Sequence, residues 1–196
     1  YWAVDAQAET AKVGQWLPGP GMKLFDKVFE VYPNAPIIAE DLGVFGEDVV
    51  QLLADTGFPG MKVVQFGFDP NGDSSHMPHN AEKNSINYVG THDNNTLKGW
   101  FNSELGAAGQ KQARAYFALT KQEGELRGLL RGVLASPAVL AIVPLADWLE
   151  EPAAARMNTP GKAQGNWCWR ADAAAVTPEL AKEIRALCAR YFRAEA

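Results

Sequence analysis

Apolar side chains recur at helical spacing in the first third of the chain. Within residues 22–30 they occupy positions 24, 25, 28 and 29, and within residues 47–56 they occupy positions 49, 50, 52 and 53. Each pattern covers one face of a helix and therefore predicts an amphipathic helix. Gly57 follows the second pattern and can adopt the left-handed conformation that often ends a helix.

Helical patterns return in the second half of the chain. A long helical region is predicted over about 95–136, with glycines expected to divide it at positions 106, 109 and 124. A last helix is predicted from Pro178, because proline is favoured at the first helical position and Thr177 is a suitable capping residue. Residues 1–21, which contain several glycines and prolines, predict an irregular loop with at most a helical turn at 6–12.

Short apolar runs alternate with the helical patterns. They are residues 37–39, 61–68, 87–90 and 139–143. Runs of this length predict strands that are buried on both faces, and strands that alternate with helices predict a parallel sheet. The predicted fold class is therefore α/β. A closed (β/α)8 barrel typically needs about 250 residues, so four strands in 196 residues would suit half of a TIM-type barrel.

Two of the predicted strands end in polar clusters. Glu40 and Asp41 follow the first strand, and Thr-His-Asp-Asn-Asn-Thr at 91–96 follows the third. Active sites of barrel enzymes lie at this end of the strands. A carboxyl group against apolar walls would keep its proton near neutral pH and could act as an acid, whereas His92 and Asp93 together could hydrogen-bond several hydroxyl groups of a sugar. Asp, Asn and Thr are also common helix caps, so a structural role for either cluster stays open.

Composition and charge restrict the partners. The net charge of −5 argues against nucleic acid, whose phosphates require a basic surface. No apolar run approaches the roughly 18 residues of a membrane span. The two cysteines, Cys168 and Cys188, match no metal-ligand spacing, and no metal site is predicted. Two cysteines without a disulfide framework favour a cytoplasmic location.

The chain contains six tryptophans. For each one a place in the core is the default, but an indole can also stack on the apolar face of a sugar, and Trp2 is a candidate for such a contact. Trp167 and Trp169 would share one face if this segment formed a strand. Cys168 between them would then be buried as a small apolar side chain.

Six segments occur in an order that resembles a known enzyme family. They are residues 39–43 (Ala-Glu-Asp-Leu-Gly), 59–66 (Pro-Gly-Met-Lys-Val-Val-Gln-Phe), 78–80 (Pro-His-Asn), 90–96 (Gly-Thr-His-Asp-Asn-Asn-Thr), 156–161 (Arg-Met-Asn-Thr-Pro-Gly) and 165–170 (Gly-Asn-Trp-Cys-Trp-Arg). Together they closely resemble the C-terminal part of the 4-α-glucanotransferases, the amylomaltase or disproportionating-enzyme family (glycoside hydrolase family 77). The resemblance covers essentially the whole chain.

The resemblance implies that residues 1–196 form the C-terminal half, strands five to eight, of one catalytic (β/α)8 barrel domain. It implies transfer of α-1,4-glucan segments between malto-oligosaccharides, amylose or glycogen-derived glucans, with retention of configuration and without a cofactor. By the same resemblance, Glu40 is the general acid/base and Asp93 is the second carboxylate. His92 contacts the sugar, and the loop with Asn158 overhangs the glucan cleft.

The family's nucleophile has no counterpart here. It is an aspartate at the end of strand four, and the resemblance places it upstream of Tyr1, so Asp5 is not its equivalent. A retaining enzyme needs both a nucleophile and an acid/base, about 5–5.5 Å apart. We therefore expect the N-terminal half of the enzyme as a partner, and the chain alone to be unstable, dimeric or inactive. An α-amylase-type hydrolase and a non-catalytic glucan-binding or assembly fragment are the alternative interpretations.

Overall fold

The computed structural model describes residues 1–43, 46–68 and 72–194, which fall into two compact units. The first unit is Tyr1–Pro59, and the second begins at Gly60. The elements of the first unit are β1 (Trp2–Ala3), β2 (Gln15–Trp16), α1 (Met22–Val31) and α2 (Glu47–Thr56). Those of the second unit are β3 (Gly60–Val63), β4 (Ser85–Tyr88), α3 (Leu97–Gly99), α4 (Gly106–Tyr116), α5 (Glu125–Leu134), β5 (Leu140–Ile142), α6 (Leu145–Trp148) and α7 (Pro178–Arg190).

A small hairpin lies within the region that was predicted as an irregular loop at the N-terminus. β1 and β2 are antiparallel, with Trp2 opposite Trp16, and the two indole rings meet edge to face at a centroid distance of 5.4 Å. The residues between the strands form turns, so the helical turn predicted at 6–12 is wrong. Two-residue strands carry no periodic pattern, and the contact between tryptophans distant in sequence is visible only in the folded chain.

Both predicted helices of the first unit are confirmed. α1 presents Phe25 and Phe29 to Phe58, with ring centroids 5.5 and 5.6 Å apart in edge-on contacts. Gly57 has a φ of +67° and ends α2, as its position in the sequence predicted. These aromatic contacts partly cover the apolar face that the hydrophobic pattern of α1 defines, whereas Leu24 on the same face is exposed.

The strand predicted at 37–39 is wrong, because this run is irregular. The backbone N–H of Ala39 donates to the carbonyl of Pro59 at 3.0 Å, whereas Ile38 is exposed. An apolar run becomes a strand where a neighbouring strand satisfies its backbone groups. In the part of the first unit that the structure describes, no strand pairs with this run.

The second unit contains a parallel three-stranded sheet in the order β3-β4-β5. Its register places Lys62 opposite Asn87, and Asn87 opposite Ala141. The parallel sheet is therefore confirmed, but β3 and β5 are shorter than predicted, and β4 begins two residues earlier than predicted. The run predicted as one strand over 61–68 leaves the sheet after Val63 and continues as a 3-10 turn, Val64–Phe66. Val64 is fully buried in the turn as it would be in a strand, so its apolar character could not mark the boundary.

The helical region after β4 is divided into separate pieces. α3 passes directly into a π-helical segment, Trp100–Glu104, in which the N–H of Leu105 donates to the carbonyl of Trp100 at 3.0 Å. Gly106 and Gly124 have φ values of +69° and +88° and separate the later helices, as predicted. Gly109 does not, because it lies inside α4. The core between these helices and the sheet includes the buried residues Val64, Val89, Leu97, Phe101, Leu129, Leu130 and Val133.

The last helix has the predicted cap. The hydroxyl of Thr177 accepts a hydrogen bond from the N–H of Leu180 at 3.2 Å, and Pro178 opens α7. The segment around Trp167 does not form a strand: it is irregular, and Trp167 has a φ of +61°. Cys168 is exposed rather than buried, and both cysteines are free. Among the described residues, no helix is long and apolar enough to cross a membrane.

Candidate active site

The loop after β4 is ordered by its own side chains. The side-chain oxygen of Asn94 accepts hydrogen bonds from the N–H and the hydroxyl of Thr91, both at 2.8 Å. Thr96 caps α3, because its hydroxyl accepts from the N–H of Gly99 at 3.1 Å. The capping role left open for this cluster thus belongs to Thr96. His92 and Asp93 are left exposed at the strand tip.

Three of the predicted site residues lie together here. The side-chain amide of Asn158 donates to Oδ1 of Asp93 at 2.5 Å, and Nε2 of His92 lies 3.3 Å from the same oxygen. The backbone N–H of Asn158 also donates to the carbonyl of His92 at 3.0 Å. The side chains of His92 and Asp93 are 51% and 48% exposed, so a ligand in solvent can reach both.

Trp167 belongs to this site, and sequence reasoning did not select it. Its ring centroid lies 5.2 Å from that of His92, with 35° between the ring planes, and 60% of the residue is exposed. The backbone N–H of Trp167 donates to the carbonyl of Met157 at 2.6 Å, which returns the chain toward His92. The sequence signal that could have identified Trp167 is its position as an aromatic residue in a loop rich in glycine and asparagine.

Arg156 connects the two loops that carry Asp93 and Asn158. Its Nη2 donates to the backbone carbonyl of Asp93 at 2.6 Å, and its Nε donates to the backbone carbonyl of Asn158 at 2.8 Å. A guanidinium group holds its donors in one plane and can therefore fix both carbonyls at once. The sequence motif contains Arg156, but only the fold reveals what it binds.

A cavity of about 290 Å³ lies behind this loop. Its lining includes His92, Arg156, Trp167 and Asp147, a residue that the sequence reasoning did not identify. Oδ1 of Asp147 accepts from the N–H of Leu97 at 2.7 Å. Burial raises the pKa of Asp147 from 3.8 to about 6, and the hydrogen bond from Leu97 lowers it only in part.

Glu40 and Trp2 lie in the first unit. Glu40 is exposed and follows the irregular run at 37–39, so the apolar walls expected around its carboxyl group are absent from the part of this unit that the structure describes. The indole N–H of Trp2 donates to the carbonyl of Ala11 at 2.9 Å. The catalytic role of Glu40 and the sugar contact of Trp2 stay predictions.

Within the described residues, no group of three His, Cys, Asp or Glu side chains could hold a metal ion.

The fold and the site define an α/β protein with a polar, ligand-accessible site at the carboxyl ends of parallel strands. The sequence matches the profile of the family described as 4-alpha-glucanotransferase (glycoside hydrolase family 77) over residues 1–175. The chain belongs to this family, which confirms the resemblance found in its motifs.

Individual relatives agree with this assignment. The chain is 43% identical over 195 residues to the 4-alpha-glucanotransferase of Clostridium butyricum, covering 100% of this chain and 40% of the relative. It is 40% identical over 196 residues to the chloroplastic/amyloplastic 4-alpha-glucanotransferase of Solanum tuberosum, covering 98% and 34%. The solved structure of the amylomaltase from Streptococcus agalactiae in complex with acarbose matches with a TM-score of 0.94 and 38% identity, covering 100% of this chain and 39% of that one. The chain thus spans between a third and two fifths of the length of these relatives.

Proposed function

We propose that the protein takes part in 4-α-glucanotransfer, moving α-1,4-glucan segments between malto-oligosaccharides, amylose or glycogen-derived glucans. The single observation that carries this proposal is the Asp93 carboxylate, held by Asn158 at 2.5 Å and flanked by His92 on an exposed strand tip. Carboxylate, amide and imidazole groups that face solvent together suit a ligand with many hydroxyl groups. The family membership and the acarbose complex of the matching amylomaltase support the same substrate class.

In this proposal Asp93 grips the sugar and stabilises the positive charge that develops at its anomeric carbon. The hydrogen bond from Asn158 occupies one carboxylate oxygen and orients the group, so the other oxygen can bind a sugar hydroxyl. His92 supplies a second polar contact. The exposed ring of Trp167, close to that of His92, offers an apolar surface on which a pyranose can stack.

We propose that Glu40 is the general acid/base. It would protonate the leaving glycosidic oxygen, while an aspartate nucleophile forms a covalent bond to the anomeric carbon. Glu40, then ionised, would remove the proton from the 4-hydroxyl of the acceptor sugar as the glycosyl bond to the enzyme breaks. This double displacement retains the configuration and uses no cofactor.

We further propose that residues 1–196 correspond to strands five to eight of a (β/α)8 barrel, with the nucleophile on strand four in the N-terminal half. Three parallel strands, of which β4 and β5 are connected through the helices α3 to α5, support this assignment. So does the alignment of the chain with about two fifths of the amylomaltase structure. The cytoplasmic location also stays a prediction.

The test is a disproportionation assay on maltotriose with the protein made at its natural length. We expect the wild type to release glucose and form longer oligomers. Glu40→Gln and Asp93→Asn should abolish turnover while Glu40→Gln leaves maltoheptaose binding, measured by calorimetry, largely intact. Glu30→Gln, which alters an exposed glutamate paired with Lys27 at 2.7 Å, is the matched control and should keep full activity.

The products separate the proposed function from its alternatives. Only shorter sugars would indicate an α-amylase-type hydrolase, because water would then be the acceptor. Maltoheptaose binding without any turnover would indicate a glucan-binding or assembly role. A loss of binding in Glu40→Gln equal to its loss of rate would contradict the acid/base assignment.

A further inference from the structure

Arg156 uses each of its three guanidinium nitrogens for a different contact. Nη2 binds the carbonyl of Asp93 at 2.6 Å, Nε binds the carbonyl of Asn158 at 2.8 Å, and Nη1 lies 3.6 Å from Oε1 of Glu104. The side chain of Arg156 is three-quarters buried. A guanidinium in this position needs an anionic partner, because burial without one is unfavourable.

Glu104 supplies that negative charge from the end of the π-helical segment. Its Oε1 also accepts a hydrogen bond from the side-chain amide of Asn95 at 2.7 Å. A π-helical turn contains more residues than an α-helical turn, so it rotates the residues that follow it around the helix axis, and such segments are frequent at functional sites. The Glu104 carboxylate therefore contacts both Arg156 and Asn95. Asn95 lies two residues after Asp93 in the chain.

From this geometry we propose that Arg156 and Glu104 are positioning residues for Asp93 and Asn158. The proposal rests on the proposed function, in which the Asp93 carboxylate binds the glucan. The Asn158 amide reaches Asp93 only while the two loops stay joined, and Arg156 holds a backbone carbonyl on each of them. Glu104 keeps the guanidinium in the plane in which both contacts form. Neither residue contacts the reacting atoms in this scheme.

Two variants remove the contacts with little change in size. Glu104→Gln removes the negative charge but keeps an oxygen that can accept from Asn95. Arg156→Lys keeps the positive charge but loses the planar set of donors. Glu125→Gln is the matched control, because Glu125 is also ion-paired, with Arg114, and its side chain is 42% exposed against 44% for Glu104.

Hydrogen–deuterium exchange followed by mass spectrometry tests the positioning without reference to activity. In the protein at its natural length, Glu104→Gln and Arg156→Lys should each speed exchange in peptides covering 91–96 and 156–167. The expected change is on the order of tenfold, as for the loss of one hydrogen bond to a charged group. Glu125→Gln should leave these peptides unchanged. Unchanged exchange in both site variants, or equal acceleration in the control, would overturn the proposal.

Kinetics then test whether the positioning serves glucan transfer. The value of kcat per folded molecule should fall on the order of tenfold in each variant, while KM changes much less. The double variant should be no worse than the poorer single one, because both changes disrupt the same unit. A role in stability alone would lower the midpoint of thermal unfolding but leave the rate per folded molecule unchanged, and that result would refute the proposal.

The exchange and kinetic measurements distinguish two kinds of failure. If the wild type neither transfers nor binds glucans, the proposed function fails and the catalytic purpose of the positioning fails with it. The exchange result then still decides whether Arg156 and Glu104 hold the loops together. If Arg156→Lys does not fold, Glu104→Gln decides the outcome, because its side chain is half exposed and its removal leaves no cavity.

Discussion

Asp147 makes the stability of the protein depend on pH in a way that one substitution can isolate. Its carboxyl group is buried in the short helix α6, and it accepts a hydrogen bond from the N–H of Leu97 at 2.7 Å. Burial disfavours the ionised form and raises the pKa to about 6, against 3.8 for an exposed aspartate. Asp147→Asn keeps an oxygen for Leu97 but removes the ionisation.

The size and the sign follow from this pKa difference. A folded-state pKa above the unfolded value means that the folded protein binds the proton more tightly, so the contribution to stability is fully present below pH 3.8. It is lost as the pH rises through about 6. With about 1.4 kcal/mol for each pH unit, the whole loss is about 3 kcal/mol, most of which falls between about pH 4 and pH 7.5.

Urea unfolding of the wild type and of Asp147→Asn at about pH 4 and about pH 7.5 measures this loss of unfolding free energy. Relative to the variant, the wild type should lose about 2.5 kcal/mol of unfolding free energy between the lower and the higher pH. Asp26→Asn, which alters an exposed aspartate of α1, should show no comparable change. A difference between wild type and Asp147→Asn that is the same at both pH values would refute the burial argument.

Three further substitutions test the core, the loop packing and the ligand surface. Leu129→Ala, at a fully buried position of α5, should lower the unfolding free energy by about 2–5 kcal/mol in urea titrations. Gly99→Ala should displace Asn95, because an added Cβ would lie 2.4 Å from its side-chain oxygen; we expect a lower thermal midpoint and weaker maltoheptaose binding. Trp167→Ala should weaken maltoheptaose binding by about tenfold without a change in thermal midpoint, measured by calorimetry and far-UV circular dichroism. Unchanged binding would remove Trp167 from the site.

The site shows how far a motif can be interpreted without coordinates. His92 and Asp93 were predicted as a pair because adjacent polar residues follow a strand, and that reasoning needs only local sequence. The hydrogen bond between Asp93 and Asn158 joins residues 65 positions apart. The family resemblance implied that the loop with Asn158 overhangs the glucan cleft, but neither the resemblance nor the spacing predicted this contact. Neither the local sequence nor the family resemblance predicted that Arg156 meets Glu104, because neither their separation in the chain nor their residue types reveal this contact.

The strand boundaries show the same limit within the fold. Residues 61–68 are apolar throughout most of their length, yet only Gly60–Val63 pairs with β4. Val64 lies in the 3-10 turn beyond the strand, yet it is a fully buried member of the hydrophobic core. Burial demands an apolar residue in either case, so hydrophobicity predicts that a residue is inside but not which partner covers it.

Local chemistry in the sequence determined the helices at Met22–Val31, Glu47–Thr56 and Pro178–Arg190, the parallel α/β arrangement, and the presence of a polar cluster after β4. These features depend on the spacing of apolar residues and on caps, which act over a few positions of the chain. The tertiary structure alone decided where each strand ends, that the N-terminal tryptophans meet in a hairpin, and that a partly buried arginine joins the loops of the site. Such contacts depend on side chains brought together by folding, and their geometry is set by the packing of the whole unit.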